Sequence, residues 1–204
     1  MAFEQLTERK QREREMRNAG RLPPGQSLTL KWPVLHEGDV PRFDPQTWDF
    51  RATGLVERTL RLSWAEFTSL PMTEVTADMH CVTRWSRFDM RWEGVLFSKI
   101  TRRAAVKPEA KFVMVLAEQG YTSNVPLADL MRPTSLFALK YNGEPLPAEH
   151  GYPLRLVVPH LYAWKSVKWV RGLSFMAEDV PGFWEDNGYH MYGDPFREQR
   201  FSGQ

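Results

Sequence analysis

Leu136-Phe-Ala-Leu-Lys-Tyr-Asn-Gly143 decides the fold class. A short apolar run ending in Asn-Gly reads as a strand entering a tight turn, because both residues accept the positive φ such a turn requires. The same grammar repeats outward from it. Lys111 to Ala117 reads as a buried strand, Pro126 to Met131 as one or two helical turns, and Leu154 to Pro159 and Val167 to Phe175 as further strands. Toward the N-terminus lie candidate strands at Asp49–Val56, Thr59–Leu62 and Thr73–Cys81, and a helix at Leu96–Arg103. Ser63-Trp-Ala-Glu66 has the form of a capping box opening a short helix that must stop before Pro71. Many short elements without βαβ alternation predict one mixed, β-rich α+β domain.

Composition narrows the function. A chain of 204 residues, 42% hydrophobic, buries enough core to need no disulfide, and its single cysteine permits none within the chain. The net charge of +2 argues against charge-driven nucleic-acid binding. Residues 1–21 predict a charged, solvated arm, with residues 3–18 reading as a charged helix or a frayed tail. Glu8/Arg12 and Glu13/Arg17 have ion-pair spacing, but Phe3, Leu6 and Met16 make a poor apolar stripe. Pro23-Pro-Gly25 follows the arm, and residues 22–204 are expected to form the domain. The polar start lacks the apolar core of a leader peptide, and the longest apolar run, Phe112 to Ala117, is too short to span a bilayer. A cytoplasmic protein without membrane insertion is the expectation.

Three clusters carry candidate chemistry. In His80-Cys-Val-Thr-Arg-Trp85, Cys81 taken alone reads first as a small buried hydrophobe, and otherwise as a nucleophile or a soft metal ligand. His80, Arg84 and Arg87 are candidates for an electropositive surrounding that would favour thiolate. One cysteine cannot hold a metal by itself, so a metal would need a chelating cofactor. In His150-Gly-Tyr-Pro-Leu-Arg155, an apolar strand follows at once and places His150 and Arg155 at its entrance. Trp164-Lys-Ser-Val-Lys-Trp169 alternates as a strand would, with Lys165 and Val167 on one face and Ser166 and Lys168 on the other. Its lysines read either as protection of an edge strand or as cations awaiting an anion. His36, His150, Arg155 and Lys168 together would make a basic pocket for a phosphorylated cofactor. No Gly-rich phosphate loop is present.

With Pro23-Pro-Gly-Gln26, Pro33-Val-Leu-His36, Trp92-Glu-Gly94, Tyr121-Thr-Ser-Asn-Val-Pro-Leu127, Asn142-Gly-Glu-Pro-Leu-Pro147 and Pro181-Gly-Phe-Trp-Glu185 in order around these clusters, the chain from Arg21 onward resembles a known family. The family is that of sulfite oxidase and the catalytic subunit of protein-methionine-sulfoxide reductase, molybdopterin-dependent oxidoreductases. The resemblance implies a compact molybdopterin-binding domain with molybdenum on one pyranopterin, two-electron oxygen-atom transfer, and an electron-transfer partner. By that resemblance Cys81 is the metal ligand. His36, His150, Arg155, Ser166, Val167 and Lys168 contact the cofactor, and Arg84 or Arg87 draws in a small oxo-donor or oxo-acceptor substrate. Ala117 lies near a position where relatives carry a cofactor-contacting threonine. Val34 and Leu139 fall where sulfite oxidases carry an arginine and a tyrosine, which implies an S-oxide or N-oxide substrate in preference to sulfite. Two other classes stay open: a binding module that kept the fold without metal, and a thiol enzyme with Cys81 as nucleophile.

Overall fold

The computed structural model describes residues 2–203, with side chains from Thr7 onward. Among these residues the strands form two sheets. The first contains β1 (Ser27–Leu28), β4 (Thr73–His80), β5 (Trp85–Leu96), β8 (Leu136–Tyr141), β9 (Glu144–Pro145) and β10 (Arg155–Val157). The long strand β5 organises it. Strand β4 runs antiparallel along β5 from Gly94 to Ser86, while β1 pairs in parallel with its start and β8 antiparallel with its end. The second sheet has the order β3 (Leu60–Ser63), β2 (Asp49–Gly54), β11 (Val170–Met176), β6 (Phe112–Ala117), β7 (Thr122–Pro126). Only its β2–β11 pair is parallel.

The main core lies where the inward faces of both sheets meet α2 (Trp64–Thr68), α3 (Phe97–Ala104) and α4 (Leu127–Leu130). Phe50, Phe67, Phe97, Phe137, Leu156 and Phe175 are sealed from solvent there. Burying a side chain of this size is worth about 1.5–3 kcal/mol. Helix α2 begins as its sequence dictates. Ser63 Oγ accepts from Glu66 N, and Glu66 Oε2 accepts from Ser63 N at 2.8 Å. On the other face of the first sheet, Met79, Met90 and Trp92 pack with Trp32 and Tyr141 in a smaller cluster.

Most of the arm's described side chains are exposed, as its composition predicts, but it is docked on the domain and not free. It forms α1 (Ala2–Asn18), and Met16 packs on Leu22, Leu28 and Phe88. Glu13 Oε2 accepts from Leu28 N at 3.0 Å, which ties the helix to β1. Of the expected intrahelical pairs, Glu13–Arg17 forms, while Arg12 reaches across to Asp89. Phe3 and Leu6 lie outside the described side chains. Trp164–Trp169 also departs from expectation. Its start is a tight 3-10 turn over Ala163–Lys165 and Trp169 has a left-handed φ of 52°, so β11 begins only at Val170.

Candidate active site

Cys81 opens the turn between β4 and β5. Its N–H donates to the Trp85 carbonyl, and its own carbonyl accepts from Arg84 N and from Gln26 Nε2. The backbone bearing the thiol is thereby fixed on both sides. Cys81 is buried, and it faces a cavity of about 600 Å³. Burial pushes the thiol pKa up, against the Thr83 hydroxyl that donates to Sγ at 3.1 Å and the positive charge of Arg155. Among the described residues no three His, Cys, Asp or Glu side chains converge to hold a metal ion. Cys81 is the chain's single thiol, which suits a metal that brings its other ligands with it.

The same cavity also has cationic lining. Residues Ala148–His150 form a 3-10 turn and Arg155 starts β10, so both project inward from one short segment. Gly151 makes this possible. It has φ 114°, and a Cβ there would lie 3.1 Å from Arg155 Cβ and 3.2 Å from Lys168 Cβ. Arg155 is buried, donates to the His150 carbonyl at 3.0 Å, and forms no ion pair among the described residues. Its Nε has no hydrogen-bond partner. Burial pulls its pKa down to about 10, so it remains a cation at neutral pH. Lys168 Nζ donates to the Leu35 and Glu149 carbonyls. Burial, reinforced by Arg155, lowers its pKa to about 7. His150 stacks on Trp32 at 3.7 Å with its Nδ1 unpartnered, and burial with the charges of Lys168 and Arg155 lowers it to about 4. A neutral imidazole, an unpaired guanidinium and a destabilised ammonium in one cavity leave a demand for an anion that no protein carboxylate meets.

The expected residues divide accordingly. Cys81, His36, His150, Arg155, Ser166, Val167 and Lys168 all line the cavity. Ser166 Oγ also accepts from Val158 N, and His36 sits edge-on to Trp169. Arg84 and Arg87 do not line it. Arg84 is exposed in a left-handed conformation (φ 71°) beside Gly25, and Arg87 lies over the rings of Tyr141 and Trp32. His80 is lowered to about 4 by burial, so it is neutral at pH 7, and Arg155 supplies the positive field at the thiol instead.

Ala117 and Val34 are absent from the wall, Val34 being exposed, and Leu139 is buried in the main core. What lines the wall is Tyr121, whose hydroxyl donates to the Trp164 carbonyl and whose pKa is pushed up by burial and by Glu185. The implied loss of a tyrosine at Leu139 therefore says nothing about this cavity. Trp32, Trp164, Trp184 and Tyr189 also line it. Trp164 and Trp184 fall within stretches singled out in the sequence, but nothing local marks them as wall residues.

A family model described as the oxidoreductase molybdopterin binding domain matches residues 37–184. The chain is 50% identical to an uncharacterized oxidoreductase, YuiH, of Bacillus subtilis, over 93% of this chain and 96% of that protein. It is 30% identical to the sulfite oxidase of Gallus gallus over 74% of this chain, spanning 39% of that longer protein. Among solved structures it resembles the sulfane dehydrogenase SoxCD from Paracoccus pantotrophus, with a TM-score of 0.62 and 28% identity over 68% of this chain and 40% of that one. The chain belongs to the oxidoreductase molybdopterin-binding family. It is a molybdopterin-dependent oxidoreductase with a molybdenum–molybdopterin cofactor.

Proposed function

We propose that this oxidoreductase transfers an oxygen atom with two electrons, that Cys81 is the protein's ligand to molybdenum, and that Arg155, Lys168 and His150 hold the cofactor's phosphate end. One observation carries the assignment: a buried Arg155 without a counter-ion shares its cavity with the chain's single cysteine. When bound, the cofactor supplies the metal, its redox couple and the oxo chemistry. The chain supplies binding and orientation. Arg155 offers Nε and Lys168 a third N–H to phosphate oxygens, charge-assisted hydrogen bonds of the stronger kind. His150 stays neutral and stacked on Trp32, leaving Nδ1 for a further polar contact. The turn at Cys81 and the Thr83 hydroxyl fix the direction of the sulfur.

The reaction proposed is reduction of an S-oxide or N-oxide: the oxide takes two electrons and two protons and leaves as sulfide or amine plus water. The electrons come from a partner that delivers them one at a time. Support comes from the cavity wall, to which Trp32, Tyr121, Trp164, Trp169, Trp184 and Tyr189 contribute beside the cations. Sulfite is a compact hydrated anion that needs fixed donors to replace its water. Metal and pterin analysis of the purified protein, followed by kinetics with a reduced viologen or an oxidised dye, tests the reading. One molybdenum and one pterin per chain, with an oxide turned over faster than sulfite, is expected. A sulfite kcat/KM in the usual range of roughly 10⁴–10⁸ M⁻¹s⁻¹, above every oxide, would contradict it.

A further inference from the structure

Five rings stand together in the cavity wall: Tyr121, Trp164, Phe183, Trp184 and Tyr189. They touch in sequence. Tyr121 meets Phe183 at 5.7 Å, Phe183 meets Trp184 at 5.1 Å, Trp184 meets Tyr189 at 4.9 Å, and Tyr189 meets Trp164 at 5.0 Å. The hydroxyl of Tyr121 then donates to the Trp164 carbonyl and closes the circle. Three of the rings come from α5 (Phe183–Asp186) and the turn after it, and Tyr189 lies beyond the stretch matched by the family model.

The collar is stiff. Trp164 Nε1 donates to Glu185 Oε1 at 2.7 Å, and a Cβ on Gly193 would come within 2.7 Å of the Trp164 ring. Lys165, next to Trp164, is taken up by Glu185 and by the Asn124 and Met191 carbonyls. The rings therefore present apolar surface to the cavity that Arg155 and Lys168 also line, with the charge of Arg155 acting on Tyr121. Fixed aromatic walls favour a flat apolar group by offset or edge-to-face contact, and offer a hydrated anion little.

Resting on the oxide-reductase reading above, we propose that this collar is the specificity element of the site and selects oxides whose sulfur or nitrogen carries an aromatic ring. Such a substrate, for example an aryl sulfoxide, takes two electrons and two protons and yields aryl sulfide and water; two equivalents of reduced viologen, each giving one electron, supply them.

The test uses the molybdenum-loaded protein. Methyl phenyl sulfoxide is compared with dimethyl sulfoxide, and pyridine N-oxide with trimethylamine N-oxide. Binding of the unreactive product methyl phenyl sulfide is followed separately by quenching of tryptophan fluorescence. The aryl member of each pair should have a kcat/KM roughly tenfold higher or more, carried by KM, as expected for a stacking contact of this kind. Trp184→Ala should erase most of that ratio and weaken the sulfide by a similar factor, with pterin per chain unchanged. Phe183→Leu, which keeps apolar volume, provides an independent second variant. Equal kcat/KM for aryl and alkyl oxides, or a sulfide affinity indifferent to both variants, would overturn the proposal. So would loss of pterin in both variants, which would put the cofactor against the collar. If no oxide is reduced while sulfide binding still depends on the collar, the reductase reading fails and the aromatic site stands.

Discussion

Residues 163–169 divide two cationic regions that handle the same physical problem in opposite ways. Lys165 is fully enclosed, and its ammonium meets Glu185 Oε1 at 2.6 Å, Asn124 through both its carbonyl and its Oδ1, and the Met191 carbonyl. Among the described residues, Glu185 Oε2 has no hydrogen-bond partner. Three residues on, Lys168 has two carbonyls and no carboxylate within ion-pair distance, and Arg155 beside it is buried with no ion pair among the described residues. Burying an unpaired charge is costly, and a fold tolerates it where a ligand completes the site. The first region holds the structure together; the second awaits an anion.

The largest effect should come from breaking the closed region. Glu185→Gln leaves Lys165 sealed beside a neutral amide, and removal of one partner of a buried pair costs about 3–5 kcal/mol. Thermal or urea unfolding should show that loss, and a change below about 1 kcal/mol would mean that the other acceptors suffice. The open region should respond in the reverse sense. Arg155→Met removes an uncompensated charge, so the cofactor-free protein should unfold at the same or higher denaturant concentration. Its affinity for the cofactor should fall by ~1.5–3 kcal/mol, roughly ten- to hundredfold, read as pterin per chain after equal expression. Full occupancy together with lost stability would reverse the roles assigned to the two regions.

A smaller effect sharpens the same contrast through pH. The Lys168 pKa falls from its ordinary 10.5 to about 7 through burial and the neighbouring Arg155. Between those values the folded, cofactor-free protein binds fewer protons than the unfolded chain, so its stability rises with pH across that window. Below about 7 both states are protonated and the dependence ends. Lys168→Met should flatten this part of the profile, and bound phosphate should flatten it too by restoring the charge. A wild-type slope that survives in Lys168→Met belongs to another group.

Much of this architecture is legible in the sequence where local chemistry decides it. The capping box at Ser63 and Glu66 forms as read, and Asn142 and Gly143 both take positive φ in the turn between β8 and β9. Strand β5 escapes the reading although Phe88, Met90 and Trp92 alternate with Arg87, Asp89 and Arg91, because a motif at Cys81 runs directly into it. Strand β7 is hidden because its buried Ser123 and Asn124 look like loop residues. Asn124 is buried for a tertiary reason, as the acceptor for Lys165. The same demand overrides the local alternation at Trp164–Trp169. The cationic wall is legible as residue types, His150, Arg155 and Lys168. The aromatic collar is not, since Tyr121, Trp164 and Tyr189 meet only through the folded chain.

The Cys81 thiolate is proposed to bind molybdenum in this cavity. X-ray absorption at the molybdenum edge, on metal-loaded wild type and on Cys81→Ser, addresses it directly by counting sulfur neighbours of the metal. One fewer sulfur is expected in Cys81→Ser, replaced by a lighter scatterer, with pterin still bound through Arg155 and Lys168 and oxidoreductase activity abolished. An unchanged sulfur count in a loaded, active Cys81→Ser protein would contradict it.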